Sequence, residues 1–256
     1  MADSKRIFIT GAGSGIGRAT ALYFAQRGWF VGLYDINESE LEKAAKDLER
    51  DRTCFRKLDV TDVEQVKAAL EDFCQRTEGK MDVLFNCAGV LKTGAFESIP
   101  FDSHKMITRV NAEGVLNCTY HAFPYLRNTK PAMVISMASA SALYGTPDYA
   151  TYSSTKFWVR GFTEALNIEW ERHGIHVCDI LTPFVDTPLL HGDNSGAIKS
   201  LGVKLTTDDL AQVVWQAAHG RRVHWIVTPY FKFNWIVARR LPDRLAKMIM
   251  KRICGY

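Results

Sequence analysis

The run Lys5-Arg6-Ile7-Phe8-Ile9-Thr10-Gly11-Ala12-Gly13-Ser14-Gly15-Ile16-Gly17-Arg18 carries a short apolar strand into four glycines, and residues 19–26 continue as a helix-forming stretch. Strand, glycine loop and helix start, in that order, make a cradle for phosphate. Glycines let the main chain approach a pyrophosphate, while the N–H groups and dipole at the helix start favour its negative charge. The spacing is not G-x-G-x-x-G, because Ile16 stands three residues after Gly13. It is T-G-x-x-x-G-x-G, through Thr10, Gly11, Gly15 and Gly17, with Ser14 and Ile16 beside the last two glycines.

A second buried-type strand follows, Trp29-Phe30-Val31-Gly32-Leu33-Tyr34-Asp35, and its last residue is an acid 18 positions beyond Gly17. An acid at this point meets the adenosine ribose of a dinucleotide. Its carboxylate accepts both ribose hydroxyls and repels a 2′-phosphate. With Ser14 in the loop and Ile36 after the acid, such a phosphate lacks a cationic partner, and Arg18 is the nearby cation to watch. NAD is therefore expected in preference to NADP.

Farther along, Tyr152-Ser153-Ser154-Thr155-Lys156 sets a phenol and an ammonium one helical turn apart, on one helix face. A free tyrosine has a pKa of about 10, so work near neutral pH requires stabilising the phenolate. A fixed ammonium beside it is expected to supply part of that depression.

These runs together resemble the short-chain dehydrogenase/reductase family, over residues 5 to about 227. The resemblance implies a proton relay of Asn111, Ser139, Tyr152 and Lys156, Ser139 lying 13 residues before Tyr152. It implies cofactor contacts from Gly11, Ser14, Gly15, Ile16, Gly17 and Asp35. Asp59 and Val60 resemble the pair that touches adenine, and Asn86, Ala88 and Gly89 the turn beside the cofactor. Val185 and Thr187 resemble the residues that hold the nicotinamide carboxamide, with Tyr152 and Lys156 on its ribose side. One departure stands nearby: Thr182-Pro183 occupies the place of the family's Pro-Gly. Proline fixes φ and lacks an N–H, so that turn must differ locally.

The expected chemistry is interconversion of an alcohol and its ketone or aldehyde, with Tyr152 as general acid/base, Ser139 holding the substrate oxygen and NAD carrying the hydride. The expected pocket, from Ser139, Ala140, Ser141, Leu143, Tyr144, Tyr149, Tyr152, Phe184, Leu189, Leu190 and the segment 191–205, is mostly apolar and offers no committed cation for a carboxylate. A small lipophilic substrate fits it best. A second function class stays open: a catalytically idle dinucleotide-binding or membrane-associated scaffold.

At 256 residues, 47% hydrophobic and 23% charged, the chain is long enough for one large core. Strand signals alternate with helical stretches at residues 38–50, 62–76, 103–126, 149–173 and 207–219. That alternation predicts an α/β fold with a doubly wound parallel sheet, Rossmann-like by resemblance. The family also implies a homodimer or homotetramer through a four-helix contact. No metal is called for: His173 and His176 are separated by a strand start rather than a helical turn. Six cysteines form no C-x-x-C pair and suit a reducing, cytoplasmic setting. Met1 to Ser4 run into the first strand without a signal peptide, and no apolar run is long enough to span a membrane.

The organisation read from this is a domain at residues 1–230 and a basic C-terminal extension at 231–256. From Gly220 onward nine basic residues face one acid, Asp243, so the net charge of +4 divides into about +8 there and −4 elsewhere. Tyr230, Phe233 and Trp235 are interleaved. Pro242-Asp243 begins a helix whose Leu245, Met248, Ile249 and Ile253 are expected to share one apolar face. Such a segment either packs on the protein or makes peripheral contact with a membrane surface. Nucleic acid is not expected, since no reading module is present.

Overall fold

The computed structural model describes residues 4–228, 231–232 and 240–256. Strand β1 (Arg6–Thr10) is buried along its whole length, as a central parallel strand covered on both faces must be. Its side chains alternate between two cores. Ile7 and Ile9 pack with Phe24, Leu41 and Val214 on one side, and Phe8 packs with Leu70, Phe73 and Cys118 on the other. Each of these large apolar side chains contributes about 1.5–3 kcal/mol when removed from water.

Six further strands complete the sheet: β2 (Phe30–Asp35), β3 (Thr53–Lys57), β4 (Val83–Asn86), β5 (Ala132–Met137), β6 (Ile175–Leu181) and β7 (His224–Ile226). Their spatial order is β3-β2-β1-β4-β5-β6-β7, with every neighbouring pair parallel. This is the doubly wound, Rossmann-like α/β sheet that the alternation of strand and helix signals predicts. Strand order reverses between β1 and β4, and a crevice opens beyond the carboxyl ends of the strands at such a switch point. Thr10 spans it, its hydroxyl oxygen accepting from the main-chain N–H groups of Cys87 and Ala88, each at 3.1 Å.

The sheet is flanked by α1 (Gly15–Ala25), α2 (Glu38–Lys46), α3 (Val63–Arg76), α4 (Phe101–Thr108), α5 (Gly114–Arg127), α6 (Ala150–Glu169) and α8 (Thr207–Ala218). Between the last two lies α7 (Gly196–Leu201), and α9 (Asp243–Cys254) closes the described chain. Local chemistry explains several boundaries. Asp62 accepts from the N–H groups of Glu64 and Gln65 and starts α3, and Thr206 and Asp209 form a reciprocal capping box on α8. Helix α2 stops at Lys46, short of the predicted residue 50, since Glu49-Arg50-Asp51-Arg52 has no apolar side chain to bury and forms a short 3-10 turn at Arg50–Arg52. The predicted helix over 103–126 is interrupted by one π turn at Arg109–Glu113, joining α4 to α5. Such single-turn insertions concentrate at functional sites; this one carries Asn111.

The extension begins its helix at Asp243, just after Pro242, as read from the sequence. The four apolar side chains expected on one face differ in burial: Leu245, Met248 and Ile249 are exposed, whereas Ile253, one turn beyond Ile249, is half-buried and packs with Met250 and Cys254 on Tyr149 and Ala197. Tyr230, Phe233, Trp235 and Arg239 lie outside the described residues. Among those described, no helix is long and apolar enough to cross a membrane.

Candidate active site

The glycine loop is set by close approach. A Cβ on Gly17 would stand 2.1 Å from the carbonyl oxygen of Gly11, and one on Gly11, which has φ +68°, would stand 2.8 Å from Ala88 Cα. Neither position tolerates a side chain, so the loop folds tightly against the start of α1 and the turn after β4. Ser14 precedes that helix without capping it through its side chain. Asp35, at the end of β2, accepts from Gly13 N at 3.0 Å and from Asn37 N at 2.9 Å. Its carboxylate is held at the crevice wall by the glycine loop itself. Arg18 instead bonds Asp47 at 2.9 Å on the protein surface.

Asp59 is fixed by a local turn, its Oδ1 accepting from Thr61 N and Thr61 Oγ1. Beside it Val60 is buried against Gly114, whose missing side chain makes room for it. Asn86 is buried at the end of β4 and donates from Nδ2 to Thr119 Oγ1 and Ser136 Oγ. Thr187 lies over the loop, its methyl 3.5 Å from where a Cβ on Gly15 would be. Val185 pairs with Leu205 as an isolated bridge, anchoring the segment that follows the Thr182-Pro183 departure. Thr182 still contributes its carbonyl oxygen to Ala140 N at 2.8 Å. The turn therefore remains tied to the end of β5 despite the proline.

Ser139 leaves β5 at the start of a 3-10 turn, and its hydroxyl oxygen accepts from Ser141 N at 3.2 Å. Tyr152 and Lys156 are on successive turns at the start of α6, with Lys156 Nζ 5.4 Å from the Tyr152 ring centroid. The buried ammonium donates to Met137 O at 2.7 Å. Asn111 is buried behind the cleft, where Oδ1 accepts from Val90 N at 2.8 Å and Nδ2 donates to Val90 O at 2.9 Å and to Thr155 Oγ1 at 3.4 Å. It splints the strand-end turn to α6 one residue before Lys156.

Burial, rather than the neighbouring ammonium, dominates the titration of this pair. Removal from water pushes the Tyr152 phenol up to about 12, opposed by the Ser139 hydroxyl, and draws the Lys156 ammonium down to about 8. In the protein alone the direction is thus opposite to the depression expected from the ammonium. Cys87, beside them, is also pushed up to about 12 by burial, so it is a packed thiol rather than a nucleophile.

One continuous cleft of about 440 Å³ joins these parts. Gly11, Ser14, Gly15, Ile16 and Gly17 line it at one end, with Asp35, Asp59 and Val60 along a wall. Ala88, Gly89, Ser139, Tyr152, Lys156, Val185 and Thr187 occupy its middle, and Tyr149, Phe184, Leu189 and Leu190 the other end. Asn86 and Asn111 stand behind its surface. Two pocket expectations are corrected. Leu143 turns into a separate cluster with Ala138, Ala142 and Val159, and neither it nor Tyr144 is among the cleft's lining residues. The 3-10 turn after Ser139 rotates them away. Leu91, Val110 and Thr146 line the cleft without having been predicted, while Ala197 and Leu201 line it from within the segment 191–205 that was expected to do so. Leu91 and Val110 flank Gly89 and Asn111 closely in sequence, a signal that proximity alone could have supplied; Ala197 and Leu201 arrive only because α7 folds over the opening.

Tyr149 has a second role at that opening. Its hydroxyl donates to Asp193 Oδ2 at 2.5 Å and lies 2.6 Å from Ser195 Oγ, which in turn accepts from Ile198 N at the start of α7. Burial and the Asp193 carboxylate both hold its phenol far above the ordinary tyrosine range. The segment over the cleft is latched from inside.

Comparison with known proteins places this arrangement among relatives. A family described as short chain dehydrogenase matches residues 5–197. A 3-oxoacyl-(acyl-carrier-protein) reductase of Thermotoga maritima is 32% identical over 189 residues, 73% of this chain and 76% of that protein. A meso-2,3-butanediol dehydrogenase of Serratia marcescens is 31% identical, covering 74% and 75%. A mouse 3-ketodihydrosphingosine reductase is 28% identical over 80% of this chain and 63% of its own length. Among solved structures, a short chain dehydrogenase/reductase from Burkholderia phymatum in complex with NAD superposes with a TM-score of 0.84 at 25% identity, covering 94% of this chain and 97% of that one. A 3-ketoacyl-(acyl-carrier-protein) reductase from Brucella melitensis complexed with NADH gives 0.79 at 28%, covering 87% and 96%.

Proposed function

The chain belongs to the short-chain dehydrogenase family and is an oxidoreductase of that family, and from this premise we propose that it uses NAD to interconvert a lipophilic alcohol and its ketone or aldehyde. One observation carries the reading: Ser139, Tyr152 and Lys156 open into the same cleft as the glycine loop and Asp35. The residues fit a dinucleotide, since the loop is packed so closely that a Cβ at Gly11 or Gly17 would fill the space at its turn, and a carboxylate stands where a ribose diol would lie. Gly11, Ser14, Gly15, Ile16 and Gly17 would hold the pyrophosphate. Asp35 would hold the adenosine ribose, Asp59 and Val60 the adenine, and Ala88, Gly89, Val185 and Thr187 the nicotinamide end, with Asn86 supporting the turn from behind. NAD over NADP is supported by Asp35 and by the engagement of Arg18 with Asp47.

When bound, NAD supplies the hydride acceptor and its reduced form the donor. Tyr152 then exchanges a proton with the substrate oxygen, which Ser139 orients. Lys156, fixed by Met137 O, keeps its ammonium beside the phenol and favours the phenolate when the proton leaves. Asn111 positions α6 through Thr155. The substrate end of the cleft, walled by Tyr149, Phe184, Leu189, Leu190, Ala197 and Leu201, supports an apolar substrate. The names of relatives at 28–29% identity, a cyclohexanol dehydrogenase of Acinetobacter and the sphingoid reductase, fall in the same chemical class.

We read residues 1–230 as the catalytic domain and 231–256 as its extension. Exposed apolar side chains on α5 (Leu116, Tyr120) and α6 (Phe157, Trp158, Ile168) support a homodimer or homotetramer through those helices. The test of the reaction is NADH absorbance with a panel of secondary alcohols, from cyclohexanol to long-chain alkanols, each run with NAD and with NADP. Turnover of the apolar members with NAD is expected; no NADH production with any alcohol, and none consumed with the matching ketones, would leave only the idle-scaffold reading.

A further inference from the structure

The segment that covers the cleft is clamped from outside as well as latched from inside. A Cβ on Gly196, the first residue of α7, would stand 2.0 Å from the carbonyl oxygen of Cys254, so α7 and the end of α9 touch main chain to main chain. Ser200 Oγ donates to Ile253 O at 2.7 Å, and Tyr256 OH donates to Asp148 Oδ1 at 2.7 Å, beside the latch residue Tyr149. Met250 and Ile253 pack in one apolar cluster with Tyr149, Tyr152, Ala197 and Phe184. Helix α9 is therefore the outer layer of the substrate lid.

Its other faces are unlike that packed one. Leu245, Met248 and Ile249, at helical spacing, form an exposed apolar stripe, with Met248 60% exposed. Arg244, Lys247, Lys251 and Arg252 are exposed around it, and Asp243 is the one acid of the helix. Near the opening Leu189, Leu201 and Val203 are also exposed, together with Lys199 and Lys204. We propose that this outer face seats the lid on an anionic phospholipid bilayer, so that the enzyme takes its apolar substrate from the membrane. The proposal rests on the alcohol/ketone reading above and adds the surface from which substrate comes. An apolar stripe bordered by lysine and arginine is what an interfacial helix presents to lipid. Charge argues against a second copy of the chain on this face, because like-signed surfaces would meet, and the apolar stripe has no counterpart in binding to nucleic acid phosphates.

The test uses the full chain and vesicles of phosphatidylcholine with or without phosphatidylglycerol. Co-sedimentation with the anionic vesicles at low salt, weakened by added salt and absent with the neutral ones, is expected. Lys247→Glu with Lys251→Glu should reduce vesicle partition by roughly tenfold or more, and Leu245→Ser with Met248→Ser should reduce it while leaving charge unchanged. Both double variants should keep the wild-type turnover of cyclohexanol in vesicle-free buffer and raise KM for a long-chain secondary alcohol supplied in anionic vesicles. Protein that stays in the supernatant with every vesicle, variants that bind as well as wild type, or self-association through α9 seen in analytical ultracentrifugation and lost in the variants, would overturn it. Cyclohexanol turnover without vesicle binding rejects the surface alone; vesicle binding without turnover of any alcohol rejects the reaction, and with it this source of substrate.

Discussion

Lys156 donates its ammonium proton to the carbonyl oxygen of Met137, the last residue of β5, across 2.7 Å in a buried setting. One side chain thus joins the first turns of α6 to the strand end that delivers Ser139. The same bond keeps a charge out of water, and burial draws the lysine down to about 8 from 10.5.

That displacement predicts a pH-dependent stability difference. Between pH 8 and 10.5 the unfolded lysine holds its proton and the folded one has lost it, so the unfolded state binds more protons and the lysine's unfavourable contribution shrinks as pH rises. Below pH 8 the penalty is fully present, on the order of 3 kcal/mol from the shift alone and partly offset by the bond to Met137. Lys156→Met should therefore be more stable than wild type near pH 7, with the advantage fading toward pH 10. Taking the difference between the two proteins cancels the buried cysteines other than Cys87, whose titration is lowered by the Lys156 charge in wild type alone. Urea unfolding at a series of pH values checks this; an advantage that grows with pH would show that the lysine is not desolvated.

Tyr152→Phe removes the exchangeable proton and leaves the ring in place, so turnover should fall by about 10²-fold or more while NAD affinity changes little. Lys156→Ala should impair both. Steady-state rates paired with cofactor titration by intrinsic fluorescence separate the two effects, and a phenylalanine variant within a few-fold of wild type would remove Tyr152 from the chemistry.

Asp35 has two tasks under the proposed function: its carboxylate would hold the adenosine ribose, and it accepts from Gly13 and Asn37. Asp35→Ser should narrow the preference for NAD over NADP, and it should also weaken binding of both cofactors because the glycine loop loses an anchor. Comparing kcat/KM for the two cofactors tests it. A wild-type preference for NADP would assign the pocket to another cation, despite Arg18 being held by Asp47.

The sheet was legible in sequence because parallel strands buried on both faces read as short apolar runs, and β1, β2, β4, β5 and β6 follow that rule, whereas the edge strand β3 is largely exposed. Most residues expected to hold the cofactor line one cleft, since they follow strand ends directly and backbone spacing brings them together there. What was hidden depends on packing between distant segments. The burial that raises Tyr152 in the protein alone is a product of tertiary packing. Leu143 reads as a pocket residue until the turn after Ser139 directs it toward Val159. Ile253 reads as one member of an apolar face, and only the meeting of α7 and α9 at Gly196 sets it apart from the exposed Leu245, Met248 and Ile249. Nor does sequence reveal the buried Asp179, whose carboxyl burial raises and whose Oδ1 lies 2.9 Å from His224 Nδ1, because 45 residues separate them.

That pair gives a stability prediction independent of the site. Asp179 is fully buried, and His224 also reaches Glu164 at 3.2 Å. Removing one partner of a buried pair costs more than the pair itself contributes. His224→Ala should destabilise the fold by about 3 kcal/mol, and Asp179→Asn, which removes the charge but keeps the shape, should cost less. Denaturant midpoints compare the two; equal losses would mean that packing rather than the uncompensated carboxylate sets the cost.

Tyr149→Phe tests the lid. The substitution keeps the buried ring against Phe184 and Tyr152 and deletes only the hydroxyl that meets Asp193 and Ser195. Asp193 then loses its partner from the cleft side, while the clamp from α9 through Ser200 and Ile253 remains. Lid closure should become less favourable by about 1.5 to 3 kcal/mol, the range for a hydrogen bond to a charged group. KM for a large apolar alcohol, which depends on the closed wall, should rise several-fold. Where lid opening limits turnover, kcat should rise with it, since a weaker latch releases product faster. Steady-state kinetics with one small and one long-chain alcohol distinguish this from a direct role in proton transfer, which would lower kcat for both substrates alike and leave KM unchanged.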